Sequence, residues 1–460
     1  MSELRRYPEY KDSGVPWLGE IPSHWEVIDN KFIFNFSRGL TITKSNLVDE
    51  GIPCINYGEV HSKYGFEVDP KIHKLKCVPK EYVEKFDYAL LNRGDFIFAD
   101  TSEDYKGSGN FTYLNSDEMT FAGYHTVVAR LKTDDDPRFM AYLFDSNEFR
   151  TQVKTRVSGV KVFSITHNIL KNVFVWIPSK SEQQAIVNFL DDKLNHIDTL
   201  ISKQQQLIEK LAEQRSAVIT HAVTKGLNPD VPMKDSGVEW LGEIPEHWEL
   251  TYNKYLFNFS RGLTITKADL IDEGIPCVNY GEVHSKYGFE VDPNIHPLKC
   301  VPESYAENFK YAVLKEGDFV FADTSEDYKG SGNFTHLNSK TLTMAGYHTV
   351  VMKQKHDHNH RYLAYMFDSK VFRTQIINRV SGVKVFSVTQ GILKRIPAWL
   401  PPLTEQNNIV IYLDEQVNRM DRSSEAAKDI IGKLQEYRAA LITQAVTGKI
   451  DVRHLNQRAS

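Results

Sequence analysis

Cysteine is scarce in this sequence, which has only four in 460 residues. No two of them form the close pairs that zinc sites and redox motifs require, so neither kind of site is predicted. We interpret all four as reduced, part-buried thiols of a cytoplasmic protein, because disulfides persist mainly outside the cytosol. They are Cys54, Cys77, Cys277 and Cys300.

Long apolar runs are also absent. No stretch approaches the roughly 18 apolar residues of a membrane span, and the opening MSELRRYPEYKDSG lacks the apolar segment of a signal peptide. We therefore expect a protein that is neither exported nor embedded in a membrane. The formal net charge of -5 shows that the chain is not basic as a whole, so any nucleic-acid surface must be local.

The signatures of several enzyme classes are missing too. The sequence has no Walker loop, no GxSxG or HExxH motif, no glycine-rich dinucleotide fingerprint and no Asn-Pro-Pro-aromatic box of amino-methyltransferases. The nearest catalytic set is Asp95 with the D-Y-K triplet at residues 104–106, repeated as Asp318 and residues 327–329. It loosely resembles a metal-dependent nuclease, but such spacing is common by chance. A nuclease is therefore our third hypothesis, and we predict no catalytic residue, metal site or cofactor in this chain.

What the sequence does contain is a duplication. Residue i matches residue i+223 without a gap over almost the whole length, and residues 31–70 equal residues 254–293 at 34 of 40 positions. The segment VSGVKVFS occurs at both Val157 and Val380. A period this long indicates two whole domains, since solenoid repeats run about 20 to 50 residues.

Each copy has two parts. Residues from about 25 to 178 show short strand-like runs between Gly, Pro, Asn and Asp turns, which predicts a compact mixed domain with considerable β structure. A stretch without proline or glycine follows, up to Gly226. We expect its helix to open with a capping box from Ser181 to Gln184, and Thr404 is the candidate cap of the second helix.

The two long stretches carry apolar residues at alternating steps of three and four, which predicts a coiled coil. A helix of some 40 residues is roughly 60 Å long, too long for one small domain to bury, so the other copy's helix is the nearest candidate partner. The alternative is an ordinary amphipathic surface helix. The apolar seam residues are Val187, Leu190, Leu194, Ile197, Ile201, Ile208, Leu211 and Val218, then Val410, Leu413, Val417, Met420, Ile431, Leu434 and Leu441.

These patterns predict an α+β fold with two similar globular domains that contain β structure, each followed by a long helix. We place the first globular domain at residues 1–180 and the first helix at 181–224. The second globular domain is placed at 225–403, and the second helix with its tail at 404–460.

Two aligned segments free of acidic residues suggest contact with phosphates. Residues 149–181 hold six basic residues and residues 372–403 hold five, with no Asp or Glu in either segment. The alternative is a solvated helix face followed by a strand. The residues we predict as DNA contacts here are Arg156, Lys161, Arg379 and Lys384.

A second candidate surface is formed by the loops SRGLTITK and INYGEVHSKYG, and the glycine-rich loop SEDYKGSGNF is a further candidate for contact with a DNA backbone through its glycines. Arg and Lys suit guanine, and Asn suits adenine. The sequence Asn-Tyr-Gly is also common in ordinary turns, and the alternative for the glycine-rich loop is a mobile connection that binds nothing. Both alternatives stay open. The predicted DNA-binding residues are Arg38, Lys44, Asn56, Tyr57, His61, Lys63, Tyr64 and Lys106, with their copies Arg261, Lys267, Asn279, Tyr280, His284, Lys286, Tyr287 and Lys329.

Over essentially its full length the sequence resembles the DNA-specificity subunits of Type I restriction-modification systems. The opening DSGVxWLGEIPxHW occurs in both copies, and an SGVKVFSIT-type turn precedes each Ile-Pro or Leu-Pro. A proline followed by Glu182-Gln183 or Glu405-Gln406 starts each long helix. The order of globular domain and helix, repeated once, completes the resemblance.

The resemblance implies that each globular domain is a target recognition domain that reads one half of a split site in double-stranded DNA. It implies that the helices pair antiparallel as a spacer and that the chain is not an enzyme. Partner subunits would methylate adenine and cleave DNA, using S-adenosylmethionine, magnesium and ATP. Because the chain presents the same surface twice, we expect two methyltransferase subunits, with restriction/translocase subunits joining through them.

The chain departs from the family pattern because its two recognition domains are nearly identical, which predicts a bipartite, near-palindromic site. Two differences between the copies are candidates for making the two half-sites unequal at one base. They are Ser45-Asn46 against Ala268-Asp269, and Tyr113 against His336. The runner-up hypothesis is a coiled-coil scaffold whose repeated domains bind protein or carbohydrate.

Overall fold

The computed structural model describes residues 5–105, 107–159, 161–328, 330–382 and 384–455. The predicted contacts of Lys106 and Lys329 lie outside these ranges. The chain divides into two compact units: unit 1 combines residues 1–204 with 429–460, and unit 2 holds residues 205–428. The linear boundaries at residues 180, 224 and 403 stay a prediction. No helix within the described ranges is long and apolar enough to cross a bilayer.

Unit 1 contains short strands and, before its long helix, short helices. The strands are β1 (Tyr10–Asp12), β2 (Glu20–Pro22), β3 (Glu26–Asp29), β4 (Phe34–Arg38), β5 (Ile52–Ile55), β6 (Phe66–Val68), β7 (Lys76–Val78), β8 (Leu90–Leu91), β9 (Phe96–Ala99), β10 (Thr101–Ser102), β11 (Phe111–Leu114), β12 (Thr120–Ala122), β13 (Thr126–Leu131), β14 (Phe163–Ser164) and β15 (Phe174–Ile177). The helices are α1 (Asn30–Ile33), α2 (Tyr82–Lys85), α3 (Pro137–Asp145), α4 (Asn147–Lys154), α5 (His167–Lys171) and α6 (Lys180–Lys225), which continues into unit 2.

Unit 2 repeats this order. Its strands are β16 (Met233–Asp235), β17 (Glu243–Pro245), β18 (Glu249–Tyr252), β19 (Phe257–Arg261), β20 (Ile275–Val278), β21 (Phe289–Val291), β22 (Cys300–Val301), β23 (Val313–Leu314), β24 (Phe319–Ala322), β25 (Thr324–Ser325), β26 (Phe334–Leu337), β27 (Thr343–Ala345), β28 (Thr349–Gln354), β29 (Phe386–Ser387) and β30 (Pro397–Leu400). Its helices are α7 (Asn253–Leu256), α8 (Ser304–Asn308), α9 (His360–Asp368), α10 (Lys370–Ile377), α11 (Gln390–Lys394) and α12 (Leu403–Val446), whose end from residue 429 belongs to unit 1.

A five-stranded sheet in the order β4-β13-β9-β11-β6 forms the centre of the first globular domain. All its neighbours are antiparallel except β6, which runs parallel to β11. Successive residues of a strand face opposite sides of the sheet. Phe96 and Phe98 therefore join the main core beneath α3 and α4, while Ile97 and Ala99 join a smaller cluster on the other side. Burial on both faces explains why the segment FIFA is apolar throughout.

A second sheet of four strands, β7-β5-β12-β8, includes a parallel pair between β5 and β12. Unit 2 has the equivalent sheets β19-β28-β24-β26-β21 and β22-β20-β27-β23. The mixed globular domains confirm the predicted α+β class.

The start of α6 differs slightly from the prediction. The hydroxyl of Ser179 donates to Glu182 at 2.8 Å, and the backbone N–H of Glu182 donates to the Ser179 carbonyl at 2.9 Å. Ser179 therefore caps the helix, and the predicted capping box from Ser181 to Gln184 is wrong because both residues lie inside α6, which begins at Lys180. Thr404 is likewise inside α12, which begins one residue earlier.

The long helices pair antiparallel, as expected. In unit 1 the guanidinium of Arg438 on α12 lies 3.4 Å from Asp198 on α6, and in unit 2 Arg215 on α6 lies 3.8 Å from Asp421 on α12. Within unit 1 the start of α6 lies near the end of the chain, since Arg453 approaches Glu182 at 3.8 Å. The seam residues Leu190, Leu194 and Ile197 are buried, and so are Leu413, Val417 and Met420.

Two tryptophans fasten the globular domains to helix ends. The indole N–H of Trp176 donates to the carbonyl of Val446 at 2.6 Å in unit 1, and that of Trp399 donates to Val223 in unit 2. The last four carbonyls of a helix have no partner within the helix, so they are ready acceptors. Each tryptophan therefore uses the end of the helix that the other copy contributes.

The motifs that carry the family resemblance meet at the helix starts. His24 of the opening segment contacts the carboxylate of Glu182 at 2.9 Å, and His247 contacts Glu405 at 2.7 Å. The carboxamide of Gln183 accepts from the backbone of Asp136 at 2.8 Å. These contacts hold the opening segment, the domain and the helix start together, which gives the motifs a structural role.

The Tyr113/His336 difference lies in the core rather than at a base. Tyr113 is 4 % exposed and His336 is 0 % exposed, so the predicted contact of this pair with DNA is wrong. The Tyr113 hydroxyl donates to Glu67 at 3.0 Å, whereas the Nδ1 of His336 bonds to the Phe289 carbonyl at 2.7 Å. Burial lowers the pKa of His336 to about 3.

We expect His336→Tyr to make unit 2 less sensitive to acid. A histidine whose folded-state pKa lies below its unfolded value of 6.5 contributes stability above pH 6.5 that is lost as the pH falls towards 3. The variant should remove a dependence of about 1.4 kcal/mol per pH unit below pH 6.5. Urea unfolding of variant and parent at about pH 7 and about pH 5 measures this difference.

The reciprocal variant Tyr113→His serves as the matched control and should introduce the same dependence into unit 1. Burial raises the pKa of neighbouring Asp318 to about 6, which acts in the opposite direction, so each variant is compared with the parent. Equal acid sensitivity of His336→Tyr and the parent would contradict the assignment.

Candidate nucleic-acid interface

The loops around one end of the five-stranded sheet collect most of the predicted site residues. β4 and β9 end there, at Arg38 and Ala99, and β11 and β13 begin there, at Phe111 and Thr126, because these neighbours are antiparallel. We call this end the loop edge. It comprises residues 37–40, 56–63, 100–105, 107–110, 122–125, 158–159 and 161–164, and in unit 2 residues 260–263, 279–286, 323–328, 330–333, 345–348, 381–382 and 384–387.

Asn56 is a buried residue that packs beneath the backbone of the loop edge. It is 1 % exposed, and its side-chain amide donates to the Cys54 carbonyl at 3.1 Å. A Cβ on Gly123 would lie 2.0 Å from the Asn56 side chain, and one on Gly39 would lie 2.1 Å from the Gly123 carbonyl. Only glycines allow this packing. The predicted direct contact of Asn56 with a base is not supported by this placement, and Asn279 is 1 % exposed as well.

The residues after Asn56 form a π-helical turn, Glu59–Lys63, a type of turn that is common at functional sites. Tyr57 stacks on His61 with ring centroids 5.1 Å apart, and burial raises the pKa of the Tyr57 hydroxyl. Lys63 lies 3.1 Å from Glu59, which raises the pKa of the lysine. Tyr57 and His61 are half-buried, and Nδ1 of His61 also lies 3.1 Å from the Ser62 hydroxyl.

The glycine-rich loop joins the π-helical turn to the VKVFS segment. Ser102 pairs with Phe163 between β10 and β14, and the Tyr105 ring lies 5.6 Å from the Phe163 ring. The Ser102 hydroxyl lies 3.4 Å from Nε2 of His61. Lys161, two residues before Phe163, is exposed. Residues that are far apart in the sequence are thus brought together.

Of the other predicted residues, some are exposed and some make contacts within their own domain. Arg38 is exposed at the end of β4, and its copy Arg261 lies 5.8 Å from the centre of the Tyr311 ring. The hydroxyl of Tyr64 donates to the Lys74 carbonyl at 3.1 Å, and that of Tyr287 donates to Pro297 at 3.1 Å.

Lys44 and Lys267 are exposed at the start of a short turn that contains the Asn46/Asp269 difference. Asn46 accepts from the backbone of Thr43 at 2.9 Å, and Asp269 accepts from the backbone of Thr266 at 2.7 Å. This backbone hydrogen bond lowers the pKa of Asp269. Both side chains therefore cap the same turn.

Part of the acid-free segment is structural. Arg150 donates to Asn110 at 3.0 Å and to Asp145 at 2.9 Å, so its charge is used inside the domain. The guanidinium of Arg156 lies 5.6 Å from the Trp17 ring and donates to the Gln152 carbonyl at 3.0 Å. Arg379 in unit 2 donates to Gln375 at 2.5 Å. These contacts do not join either arginine to the loop edge.

The second domain presents the same arrangement. Its π-helical turn is Glu282–Lys286, and Tyr280 stacks on His284 at 5.1 Å. The Tyr328 ring lies 5.3 Å from Phe386, and Lys384 is exposed.

Sequence reasoning missed two pairs of residues at the loop edge. His125 contacts Asp100 at 3.2 Å, and His348 contacts Asp323 at 3.4 Å. The turn Gly-Tyr-His-Thr was visible in both copies, but its backbone conformation was not. The exposed Tyr105 and Tyr328, at 50 % and 48 %, were named only as part of a nuclease-like triplet.

The nuclease-like residues are separated. Asp95 precedes β9, whereas the loop edge lies at the strand's other end, and Arg130 holds Asp95 with hydrogen bonds of 2.6 and 3.0 Å. Asp104 accepts from the backbone of Gly107 at 2.6 Å and shapes the loop. Among the described residues, no three His, Cys, Asp or Glu side chains are grouped to hold a metal ion.

Comparisons with known proteins identify the family of this chain. The family model of the Type I restriction modification DNA specificity domain matches residues 22–210 and 245–429. The EcoKI specificity subunit of Escherichia coli is 22% identical and is similar over 94% of this chain and 90% of its own length. The MjaVIII specificity subunit of Methanocaldococcus jannaschii is 23% identical over 68% of this chain and 71% of its own length.

Solved structures share the fold. A chain from a structure described as showing complex assembly and conformational transition of the type I R-M system aligns with a TM-score of 0.69 at 15% identity, over 93% of this chain and 98% of that one. The HsdS subunit from Thermoanaerobacter tengcongensis aligns with a TM-score of 0.51 at 15% identity, over 94% and 98%.

The family model covers both globular domains and the first part of each long helix. This match decides against the scaffold that binds protein or carbohydrate. The chain belongs to the family of Type I restriction-modification DNA specificity subunits.

Proposed function

We propose that this non-catalytic subunit reads double-stranded DNA through the loop edges of its two globular domains. One observation carries the proposal: segments far apart in the sequence converge on one end of the sheet, and they do so twice. The exposed cations Arg38, Lys44 and Lys161 would contact phosphates, and Tyr57 and His61 would face bases. Asn56 and Asn279 would position the loops.

The proposed target is a bipartite inverted repeat. The equivalent positions of the two copies form the same ion pair in each unit, Asp198 with Arg438 in unit 1 and Asp421 with Arg215 in unit 2. A twofold axis on duplex DNA presents the same reading surface to both strands. Because SRGLTITK and NYGEVHSKYG are identical in the two copies, both domains should read nearly the same short sequence.

We further propose that each chain assembles with two methyltransferase subunits, through the helices and the flanking WLGEIP segments. Restriction/translocase subunits would join through the methyltransferases. S-adenosylmethionine, magnesium and ATP would serve those partners. The duplication supports this stoichiometry, since an equivalent surface occurs twice in one chain.

We expect the double variant Lys161→Ala/Lys384→Ala to weaken DNA binding on all sequences and to flatten its salt dependence. Losing two phosphate contacts should reduce the slope of log K against log salt by about 2. Titrations of the assembled complex over a range of salt concentrations measure the slope.

The control is Lys132→Ala/Lys355→Ala, because these exposed lysines follow β13 and β28 at the end of the sheet away from the loop edge. Its slope should equal that of the parent. An unchanged slope for the Lys161/Lys384 variant would place those lysines on a solvated face.

Methylation mapping should return an inverted repeat. We expect two near-identical half-sites whose centres are about 10 bp apart, one helical turn, so that both face the same side of the duplex. Sequencing of methylated adenines in DNA from cells that carry the system tests this. Two unrelated half-sites would contradict the assignment of the loop edge as the reading surface.

Native mass measurement of the complex should show two methyltransferase subunits per chain at saturation. The equivalent surfaces predict similar affinities for the two sites. Saturation at one partner per chain would refute the proposed stoichiometry.

A further inference from the structure

His125 and His348 hold an unusual backbone conformation at the loop edge. Both have φ of +54°, in the left-handed region that favours glycine. Within the described ranges, the other residues besides glycine with positive φ are Phe66 and Phe289. Histidine tolerates this region better than most residues, but the conformation is still strained, and such strain concentrates at ligand sites. A turn with no use for an imidazole would be better served by glycine.

Asp100 contacts the imidazole of His125, and the Tyr124 ring lies edge-on to it with ring centroids 5.9 Å apart. The Nδ1 of His125 lies 3.2 Å from Asp100, while the side chain remains 63 % exposed. The backbone N–H of Asp100 also donates to the His125 carbonyl at 3.1 Å, and Asp100 in turn accepts from Ile165 at 2.7 Å. The ring is therefore attached to β9 and to the VKVFS segment, and its other edge is open. In unit 2 the Nδ1 of His348 lies 3.4 Å from Asp323 Oδ1, an oxygen that makes no hydrogen bond with the described residues, and the histidine side chain is again 63 % exposed.

The contact with Asp100 determines which hydrogen-bonding group the exposed edge of the His125 ring presents. A carboxylate only accepts hydrogen bonds, so the proton of a neutral ring lies on Nδ1 and the outward Nε2 is an acceptor. The surroundings are acidic. Burial raises the pKa of the nearby Tyr57, and the negative charges of Glu103, Asp104 and Asp100 raise it further. An acidic setting disfavours a phosphate and favours a donor, such as the amino group of adenine or cytosine in the major groove.

We propose that His125 and His348 each accept a hydrogen bond from an exocyclic base amino group, with Asp100 and Asp323 positioning the rings. The inference rests on the proposed function, because it needs the loop edge to face DNA. It adds one specificity-determining residue per half-site. The residue reads adenine or cytosine by accepting a hydrogen bond from its amino group.

The test is the double variant His125→Gly/His348→Gly in the complex with the methyltransferase subunits. Binding is measured on a duplex that carries the mapped target and on duplexes with single base-pair changes, at several salt concentrations. Discrimination at one base pair in each half-site should fall about tenfold, with the salt slope unchanged. The melting temperature should not fall, because glycine relieves the strained turn.

The conservative variant Asp100→Asn/Asp323→Asn separates reading from folding. An asparagine can donate as well as accept, so the ring is no longer held in one tautomer, and discrimination should fall at the same base pairs. The Lys132→Ala/Lys355→Ala variant serves again as the binding control.

Unchanged discrimination in the glycine variant would overturn the inference, and so would a lower melting temperature with unaffected binding. Uniform weakening on all sequences with a flatter salt slope would assign the histidines to phosphates and also overturn it. If the parent complex fails to prefer the mapped target and the Lys161/Lys384 variant behaves like its control, the proposed function itself fails.

Discussion

The bonds from Trp176 to Val446 and from Trp399 to Val223 set the organisation of the chain. Each indole satisfies a carbonyl at the end of the helix that the other copy contributes. The helices must therefore run antiparallel, and each compact unit must contain parts of both copies. A single copy has no helix end for its own tryptophan, so half of the sequence cannot complete its core unless a second copy supplies that end.

The two copies differ where packing can adapt and agree where it cannot. The core accepts Tyr113 in one copy and His336 in the other, with different hydrogen-bond partners for each. At the loop edge the backbones approach so closely that Gly39 and Gly123 leave no room for a Cβ. Close backbone approach explains why both copies have glycine at these positions.

Much of the fold could be predicted because it depends on periodic patterns. The heptad seam and the repeat at i+223 specify long helices and two equal domains. The parallel pairing of β6 with β11 could not be predicted, because strands of three and four residues carry too little pattern to fix their partners. The N-cap at Ser179 was missed because three neighbouring serine or other polar residues are all candidate N-caps within one turn.

The sequence indicates candidate segments for the site, but it does not indicate the direction of their side chains. The loops that meet at one end of the sheet include segments named from the sequence, whereas Asn56 points inward because Gly123, far along the chain, closes over it. The direction of a turn side chain depends on what packs above it. The role of His125 depends on a backbone angle that no residue pattern encodes.

Because each unit contains a helix end from the other copy, the two units have all their residues at different times during synthesis. Unit 2 has all its residues once position 428 is made, but unit 1 needs residues up to the buried Val452, which lies close to the end of the chain. Contacts between residues so far apart form late, because a long loop must close first. The domain that leaves the ribosome first is therefore the last to be completed, and its exposed core must be protected from aggregation until the final helix arrives.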